Sequence, residues 1–307
     1  MEIDPSSFSD QSWKAVVATA RPEEVRKYLI DEVFRALGVR ADSLWRAWFG
    51  PLFTPMVNGI ARKASAFDEC VSREGLKSAA QEWLKKWIPG LQTVGGENLP
   101  EQGPLLIAAN HPGTFDSLAV ASVVPRQDLH VVAAGSPIFR ALPNLRQYLI
   151  YATSDTQVRT VTLRNAIRHL QGGGALLIFP NGTLEPDPRH FKQAARRTLS
   201  HWSASIRLMA SKVPQVKLVL AINSGFVDRS YLQNPLTHLR KSIEGRQRLA
   251  EFFQVVQHLL YDRKIHNQPS IVFSEPLSFS TKDSSPEEIQ AQIVETACCL
   301  LDATPSG

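Results

Sequence analysis

The stretch Leu105–Asp116 reads Leu-Leu-Ile-Ala-Ala-Asn-His-Pro-Gly-Thr-Phe-Asp, and it decides the fold that this sequence predicts. Its first five residues, 105–109, have the length and apolar character of a buried strand, and Pro112 and Gly113 then break the run. A second apolar segment with helical character begins at Asp116. The order strand, turn and helix is typical of an open α/β sheet, in which ligands bind at the carboxyl ends of the strands.

His111 and Asp116 lie within this turn, five positions apart, so the carboxylate can reach back to the imidazole. An imidazole can take a proton from a hydroxyl near neutral pH, and it does so best when a carboxylate holds its other ring nitrogen. We therefore predict that the two residues form a catalytic pair. The alternative is that Asp116 serves only as a helix N-cap and His111 only as a polar loop residue.

A second turn after a buried strand occurs at Gly172–Thr183, which reads Gly-Gly-Gly-Ala-Leu-Leu-Ile-Phe-Pro-Asn-Gly-Thr. Together, the blocks Asn-His-x4-Asp and Phe-Pro-x-Gly-Thr resemble the glycerolipid acyltransferase family, which includes glycerol-3-phosphate and lysophosphatidate acyltransferases. The resemblance extends from about Val94 to Asn223, under half of the chain.

This resemblance implies a general-base mechanism. His111 would take the proton of a lipid hydroxyl or amine, Asp116 would orient the ring, and the freed atom would attack the thioester of acyl-CoA or acyl-carrier protein. Backbone N–H groups near the turn would stabilise the oxyanion. No metal is expected, and no cofactor beyond the acyl donor. The residues predicted to bind substrate are Asn110, Gly113, Thr114, Phe179, Pro180, Asn181, Gly182, Thr183 and Arg159.

The second block departs from the usual Phe-Pro-Glu-Gly-Thr-Arg of the family at its two charged positions. Asn181 replaces the glutamate and Leu184 replaces the arginine, both of which contribute to acceptor binding in the family. An arginine that the family commonly carries after a short strand corresponds here to Arg159, which is displaced. A further family block, Val-Pro-Val-like, corresponds at best to 218–222 and lacks its proline.

These departures leave the acyl acceptor open. One alternative is a non-phosphorylated alcohol or amine, and another is a lipid whose head group binds other arginines. A third is a non-catalytic lipid-binding module with this fold. The other arginines considered are Arg140, Arg146 and Arg164.

The composition restricts the class of partner. The chain has 307 residues, a net charge of +5 and a pI near 9.2, which suits an anionic partner such as a phosphate ester, coenzyme A or a phospholipid surface. No zinc-finger spacing or RNA-binding aromatic signature is present, so nucleic acid is not expected. Three cysteines form neither a disulfide framework nor a metal-ligand spacing, which fits a reducing cytoplasm.

The first residues lack the basic and apolar regions of a signal peptide, and no apolar run has the length of a membrane span. We therefore expect a cytoplasmic protein that is peripheral to the membrane. Residues 44–60 carry a broad apolar stripe that has two interpretations. It either packs on the catalytic core or lies in a lipid surface. Pro51 and Pro55 predict that this helix is kinked or divided.

The chain is predicted to have two parts, a helical region over residues 1–90 and an α/β domain over 91–307. The second part is predicted to be a mixed, mostly parallel sheet flanked by helices. Predicted strands are Leu105–Ala109, His130–Ala134, Leu149–Thr153, Ala175–Phe179, Val216–Ile222 and Ser270–Phe273. Predicted helices are Pro22–Leu37, Glu74–Ile88, Asp116–Val124, Val158–Gln171, Phe191–Lys212, Arg246–Lys264 and Pro286–Leu301.

Overall fold

The computed structural model describes residues 20–40, 43–152, 155–202, 205–277 and 285–305. Its amino-terminal part is helical. Helix α1 spans Pro22–Leu37, starts on a proline and ends at Gly38, whose φ of 79° is left-handed. Helix α2 spans Trp45–Phe49, a 3-10 turn spans Gly50–Phe53, and α3 spans Thr54–Trp87 with an interruption at Gly75.

The apolar stripe of residues 44–60 is divided, as its two prolines predicted, and its two parts have different surroundings. Val57 in α3 is buried in the protein, whereas Trp45, Trp48 and Leu52 are exposed, Trp48 at 82%. The interpretation that the stripe packs on the core therefore holds only for its second part. The first part presents indole and aliphatic side chains to the surroundings.

A seven-stranded sheet forms the rest of the scaffold, in the order β1-β7-β6-β2-β5-β3-β4. All neighbouring pairs are parallel except β6 and β7, which are antiparallel. The mixed, mostly parallel sheet flanked by helices is thus confirmed. The strands are β1 Gln92–Val94, β2 Leu105–Ala109, β3 Leu129–Ala134, β4 Leu149–Ala152, β5 Ala175–Ile178, β6 Lys217–Ser224 and β7 Ser270–Phe273.

Helices cover both faces of this sheet. One core cluster contains Leu105 and Ile107 of β2 and the inner face of α3, and the opposite cluster contains Leu106 and Ala108. Alternate side chains of β2 therefore enter two cores, which is why this strand has no polar residue. The remaining helices are α4 Asp116–Val123, α5 Pro137–Arg140, α6 Thr156–Gln171, α7 Pro188–Leu199, α8 Ser205–Lys212, α9 Arg229–Leu232, α10 Ile243–Tyr261 and α11 Pro286–Ala303.

Two sequence predictions need correction. The helix predicted over Phe191–Lys212 is two helices, α7 and α8, because the chain turns at Trp202, whose buried indole donates a hydrogen bond to Glu185. The strand β1 was not predicted, since its three residues are exposed and carry no apolar run.

The arrangement of β2, β5 and β6 determines where a site can form. These three strands are adjacent and parallel, so their carboxyl ends meet at one edge of the sheet. Asn110 and His111 follow β2 at this edge, Phe179 follows β5, and Gly225 follows β6.

Candidate active site

The structure brings His111 and Asp116 into direct contact. The imidazole Nδ1 lies 2.9 Å from Oδ2 and 3.0 Å from Oδ1 of the carboxylate. Asp116 is fully buried in the first turn of α4, and its Oδ2 also accepts the Gly113 N–H at 3.1 Å. The N-cap position belongs to Phe115, so the alternative that Asp116 is merely an N-cap is wrong. The pair has the geometry of an oriented general base.

The surroundings of His111 favour its charged form. Burial lowers the pKa of the imidazole, but the charge and hydrogen bond of Asp116, followed by the charges of Glu251 and Glu185, raise it above the ordinary value of 6.5. Because the Asp116 carboxylate accepts the Nδ1 proton, Nε2 is the ring nitrogen with a free lone pair. The His111 side chain remains 26% exposed, so part of it is accessible from outside the protein.

The second turn lies directly against this pair. The Phe179 ring stacks on the His111 ring, with a centroid separation of 4.4 Å and an interplanar angle of 27°. The Gly182 N–H donates to the Phe179 carbonyl oxygen at 2.9 Å, and Gly182 has a φ of 70°. Asn181 Nδ2 donates to Thr183 Oγ1 at 3.3 Å, and Pro180 is buried. The turn geometry therefore forms without the two charged residues that the family carries there.

Asn110 has a different environment from the one expected of a substrate contact. Its buried side chain donates to the Asn223 carbonyl oxygen at 2.9 Å and accepts the Asn223 N–H at 2.6 Å. Asn223 Nδ2 returns a bond to the Asn110 carbonyl oxygen at 2.8 Å. These three bonds join the ends of β2 and β6, which favours a structural role for Asn110.

Arg159 lies apart from the pair. It is exposed in the first turn of α6, after β4, and β4 is three strand positions away from β2. At the usual spacing of neighbouring strands this is a separation of roughly 14 Å. Arg140, one of the alternative head-group ligands, instead forms an ion pair with Glu24 of α1 at 3.6 Å.

Two buried carboxylates beside the pair were not identified from the sequence. Glu185 accepts the His111 N–H at 2.9 Å, while the Glu185 N–H donates to the His111 carbonyl oxygen at 2.8 Å. Glu251 of α10 accepts both the N–H and the hydroxyl of Thr114. These acids are 74 and 137 residues from their partners, so no local spacing could reveal them.

These contacts also show whether the backbone N–H groups of the turn after β2 are available to an oxyanion. The N–H groups of His111, Gly113 and Thr114 already donate to Glu185, Asp116 and Glu251. The three backbone N–H groups of the turn after β2 therefore donate to carboxylates. Because they already have these acceptors, they do not form an oxyanion site in this structure.

Gln247 of α10 connects the same segments. Its Nε2 donates to the carbonyl oxygens of Pro112 and Glu185 at 2.8 and 2.7 Å, and its Oε1 accepts the Asp187 N–H at 2.8 Å. Because every polar atom of this buried amide has a protein partner, α10 holds the two turns in one relative position.

Among the described residues, three side chains could share a metal ion. These are Cys70, Glu74 and Glu82, whose ligand atoms lie within 4.8 Å of one another. All three belong to α3, and Glu82 also forms an ion pair with Lys86 at 3.5 Å. This group lies outside the His111 site, and the chemistry proposed below does not use it.

Burial raises the pKa of Glu185 from its ordinary 4.5 to about 7. Between pH 4.5 and about pH 7, the folded protein therefore binds more protons than the unfolded chain. As the pH rises through this range, ionisation of Glu185 lowers the free energy of unfolding by about 3 kcal/mol in total. Glu185→Gln cannot ionise, and we expect a smaller loss of stability from pH 5 to pH 8. Chemical denaturation at several pH values measures this, and parallel curves for the two proteins would contradict it.

Comparisons with known proteins found a family model and a similar solved structure. Residues 91–219 match the family model described as Acyltransferase. A crystal structure of the 1-acyl-sn-glycerophosphate (LPA) acyltransferase PlsC from Thermotoga maritima is similar, with 17% identity and a TM-score of 0.47 over 96% of this chain and 94% of that chain. No curated protein matches the sequence. The segment matched by the family model carries both His111 and Asp116, and the match agrees with the family expected from the two sequence blocks.

Proposed function

We propose that this acyltransferase moves a fatty acyl group from acyl-CoA or acyl-carrier protein to a hydroxyl of a glycerolipid or related lipid. The observation that carries the proposal is the contact between His111 Nδ1 and the buried Asp116 carboxylate. An imidazole held in this way presents Nε2 as a general base without further tuning. The matching family model supports the acyl-transfer chemistry.

The proposed reaction balances without a covalent acyl-enzyme. His111 Nε2 takes the proton of the acceptor hydroxyl as its oxygen forms a bond to the thioester carbonyl carbon. The tetrahedral intermediate then breaks its carbon–sulfur bond, and the leaving thiolate receives the proton from the imidazolium. The products are an ester and a free thiol. Asp116 keeps its charge throughout and stabilises the transient imidazolium.

A second candidate acceptor has no phosphate. The turn against His111 carries Asn181 and Leu184, whose side chains have no formal charge. An uncharged alcohol or an amine is compatible with such a turn, since neither acceptor needs a cation at Leu184 to neutralise a phosphate.

Release of free thiol from a long-chain acyl-CoA tests the proposal, measured with a panel of phosphorylated lipids, neutral alcohols and amines. We expect release that depends on the acceptor, together with a new acylated product. Release without any acceptor would indicate a thioesterase. Lipid binding with no thiol release from either acyl-CoA or acyl-carrier protein would favour the non-catalytic lipid-binding module.

The proposal includes contact with a membrane surface. In the described chain, no helix combines the length and the apolar character needed to cross a bilayer. The exposed apolar side chains are concentrated around α2, and we call this set the α2 patch. It consists of Leu44, Trp45, Trp48, Phe49 and Leu52. Such a patch suits insertion of indole and aliphatic groups into the interface of a lipid surface.

Trp48→Glu is expected to weaken binding to anionic phospholipid vesicles by about tenfold or more, because burial of one large apolar side chain contributes about 2 kcal/mol. Co-sedimentation with vesicles measures the change. Leu208→Glu on α8, at the opposite face of the sheet, is the matched control, since Leu208 is 40% exposed. Equal vesicle binding by the two variants would remove the α2 patch from the proposal.

A further inference from the structure

A basic cavity lies beside the candidate active site, at the carboxyl end of β6. It has a volume of about 530 Å³, which is within the range of small-molecule sites. A second cavity of about 370 Å³ shares Arg189, His190 and Arg229 with it. The first is lined by Arg189, His190, Phe191, Arg229, Leu232, Gln233, His238 and Arg246.

The charged side chains that line the first cavity are all basic. Arg189, Arg229 and Arg246 line it, and no lining residue is acidic. Two acids are close in the chain, but both are buried and already have hydrogen-bond partners. Asp187 accepts the N–H groups of Gly225 and Val227, and Asp228 accepts those of Ser230 and His266. Three guanidinium groups therefore exceed the two carboxylates behind them.

Two of the arginines have unused donors. Within the described part of the chain, the buried Nε atoms of Arg189 and Arg246 lack a hydrogen-bond partner. Arg189 is nevertheless held in place, because its Nη1 donates to the Gln268 carbonyl oxygen at 2.9 Å. A buried N–H without a partner is costly, and an anion in the cavity would satisfy it. Guanidinium groups are the side chains best suited to phosphate oxygens.

The cavity connects to His111 through short contacts. Arg246 precedes Gln247, whose amide bonds both Pro112 and Glu185, and Glu185 holds the His111 backbone. Arg189 follows Asp187, which bonds Gln247. Since β6 is the immediate neighbour of β2, the cavity lies at the same edge of the sheet as the turn that carries His111.

We propose that the cavity between Arg189, Arg229 and Arg246 binds a phosphate group of one of the two substrates. This inference rests on the proposed acyl transfer and adds to it a positively charged site at positions that neither sequence block contains. It supplies a positive charge that the second block lacks at Leu184, where the family carries an arginine. The phosphate belongs either to the head group of the acceptor or to the nucleotide of the donor.

Isothermal titration without turnover tests the site at low ionic strength, where such binding is strongest. The probes are glycerol 3-phosphate for the acceptor and coenzyme A for the donor. Each is compared with a compound that lacks its phosphate groups, glycerol for the first and pantetheine, which also lacks the adenosine, for the second. We expect one phosphorylated probe to bind more tightly than its counterpart. The double variant Arg189→Gln/Arg246→Gln should weaken that binding by about tenfold to a hundredfold. The responding probe identifies the substrate.

Arg168→Gln is the matched control, because Arg168 is exposed near the end of α6, at the opposite edge of the sheet. Arg229→Gln provides a second variant in case the double variant is unfolded, since Arg229 is exposed. Equal affinity of phosphorylated and dephosphorylated probes for the folded wild type would overturn the proposal, as would unchanged affinity in the folded variants. Because the titration measures binding without turnover, its result can be interpreted even if the protein does not catalyse the proposed acyl transfer.

Discussion

Replacing His111 with alanine is expected to lower kcat/KM for acyl transfer by roughly a hundredfold to ten-thousandfold, the usual contribution of a positioned general base. The substitution removes Nε2, and no other described histidine contacts Asp116. The loss should appear mainly in kcat, because the ring is proposed to act in the transition state rather than in ground-state binding. Thiol release and product formation measure it.

His201→Ala is the control for this substitution, since His201 is exposed after α7 and its ring contacts the Arg197 carbonyl oxygen rather than the site. That variant should retain wild-type activity. Full activity in His111→Ala would show that the turn after β2 is structural, and the catalytic role proposed for the pair would be abandoned.

Asp116→Asn should be nearly as damaging, with a fall in kcat of about a hundredfold or more. The asparagine amide has almost the same shape and can still accept the Gly113 N–H. If its NH₂ group faces the ring, however, it donates to Nδ1, which moves the imidazole proton to Nε2 and blocks the base. The variant should also lose the negative charge that raises the pKa of His111. The acidic limb of its residual activity should therefore move to lower pH.

The double variant His111→Ala/Asp116→Asn separates a joint role from two independent ones. If Asp116 acts only through the ring, the double variant should lose no more activity than His111→Ala alone. Asp302→Asn is the control, since Asp302 is exposed near the end of α11. Losses that multiply would contradict the proposal that Asp116 is a positioning residue for His111.

The strands that carry the site were predictable because their apolar runs are short, bounded by turns and buried on both faces. Leu105–Ala109 has the predicted bounds, and the strand at Ala175 ends one residue earlier than predicted, at Ile178. The contact between His111 and Asp116 was also predictable, since it depends on a spacing of five residues across one turn.

Other features depend on contacts between distant segments, which no local pattern contains. Glu185 and Glu251 are ordinary acids in the sequence, and their burial against the turn after β2 depends on the packing of α10 beside it. The three arginines of the basic cavity come from α7, α9 and α10, and no pattern in the sequence groups them. The division of the apolar stripe at α2 depends in the same way on where α3 enters the core.

The two ends of the segment Phe179–Glu185 both contact His111. Phe179 stacks on the His111 ring, and Glu185 exchanges two hydrogen bonds with the His111 backbone. The intervening residues, 180–184, thus form a loop whose two flanking residues are both held by His111. Such a loop can change its composition, or even its length, while His111 stays in position. In the proposed reaction, exchange of this loop at Asn181 and Leu184 would alter the choice of acceptor and leave the contact between His111 and Asp116 in place.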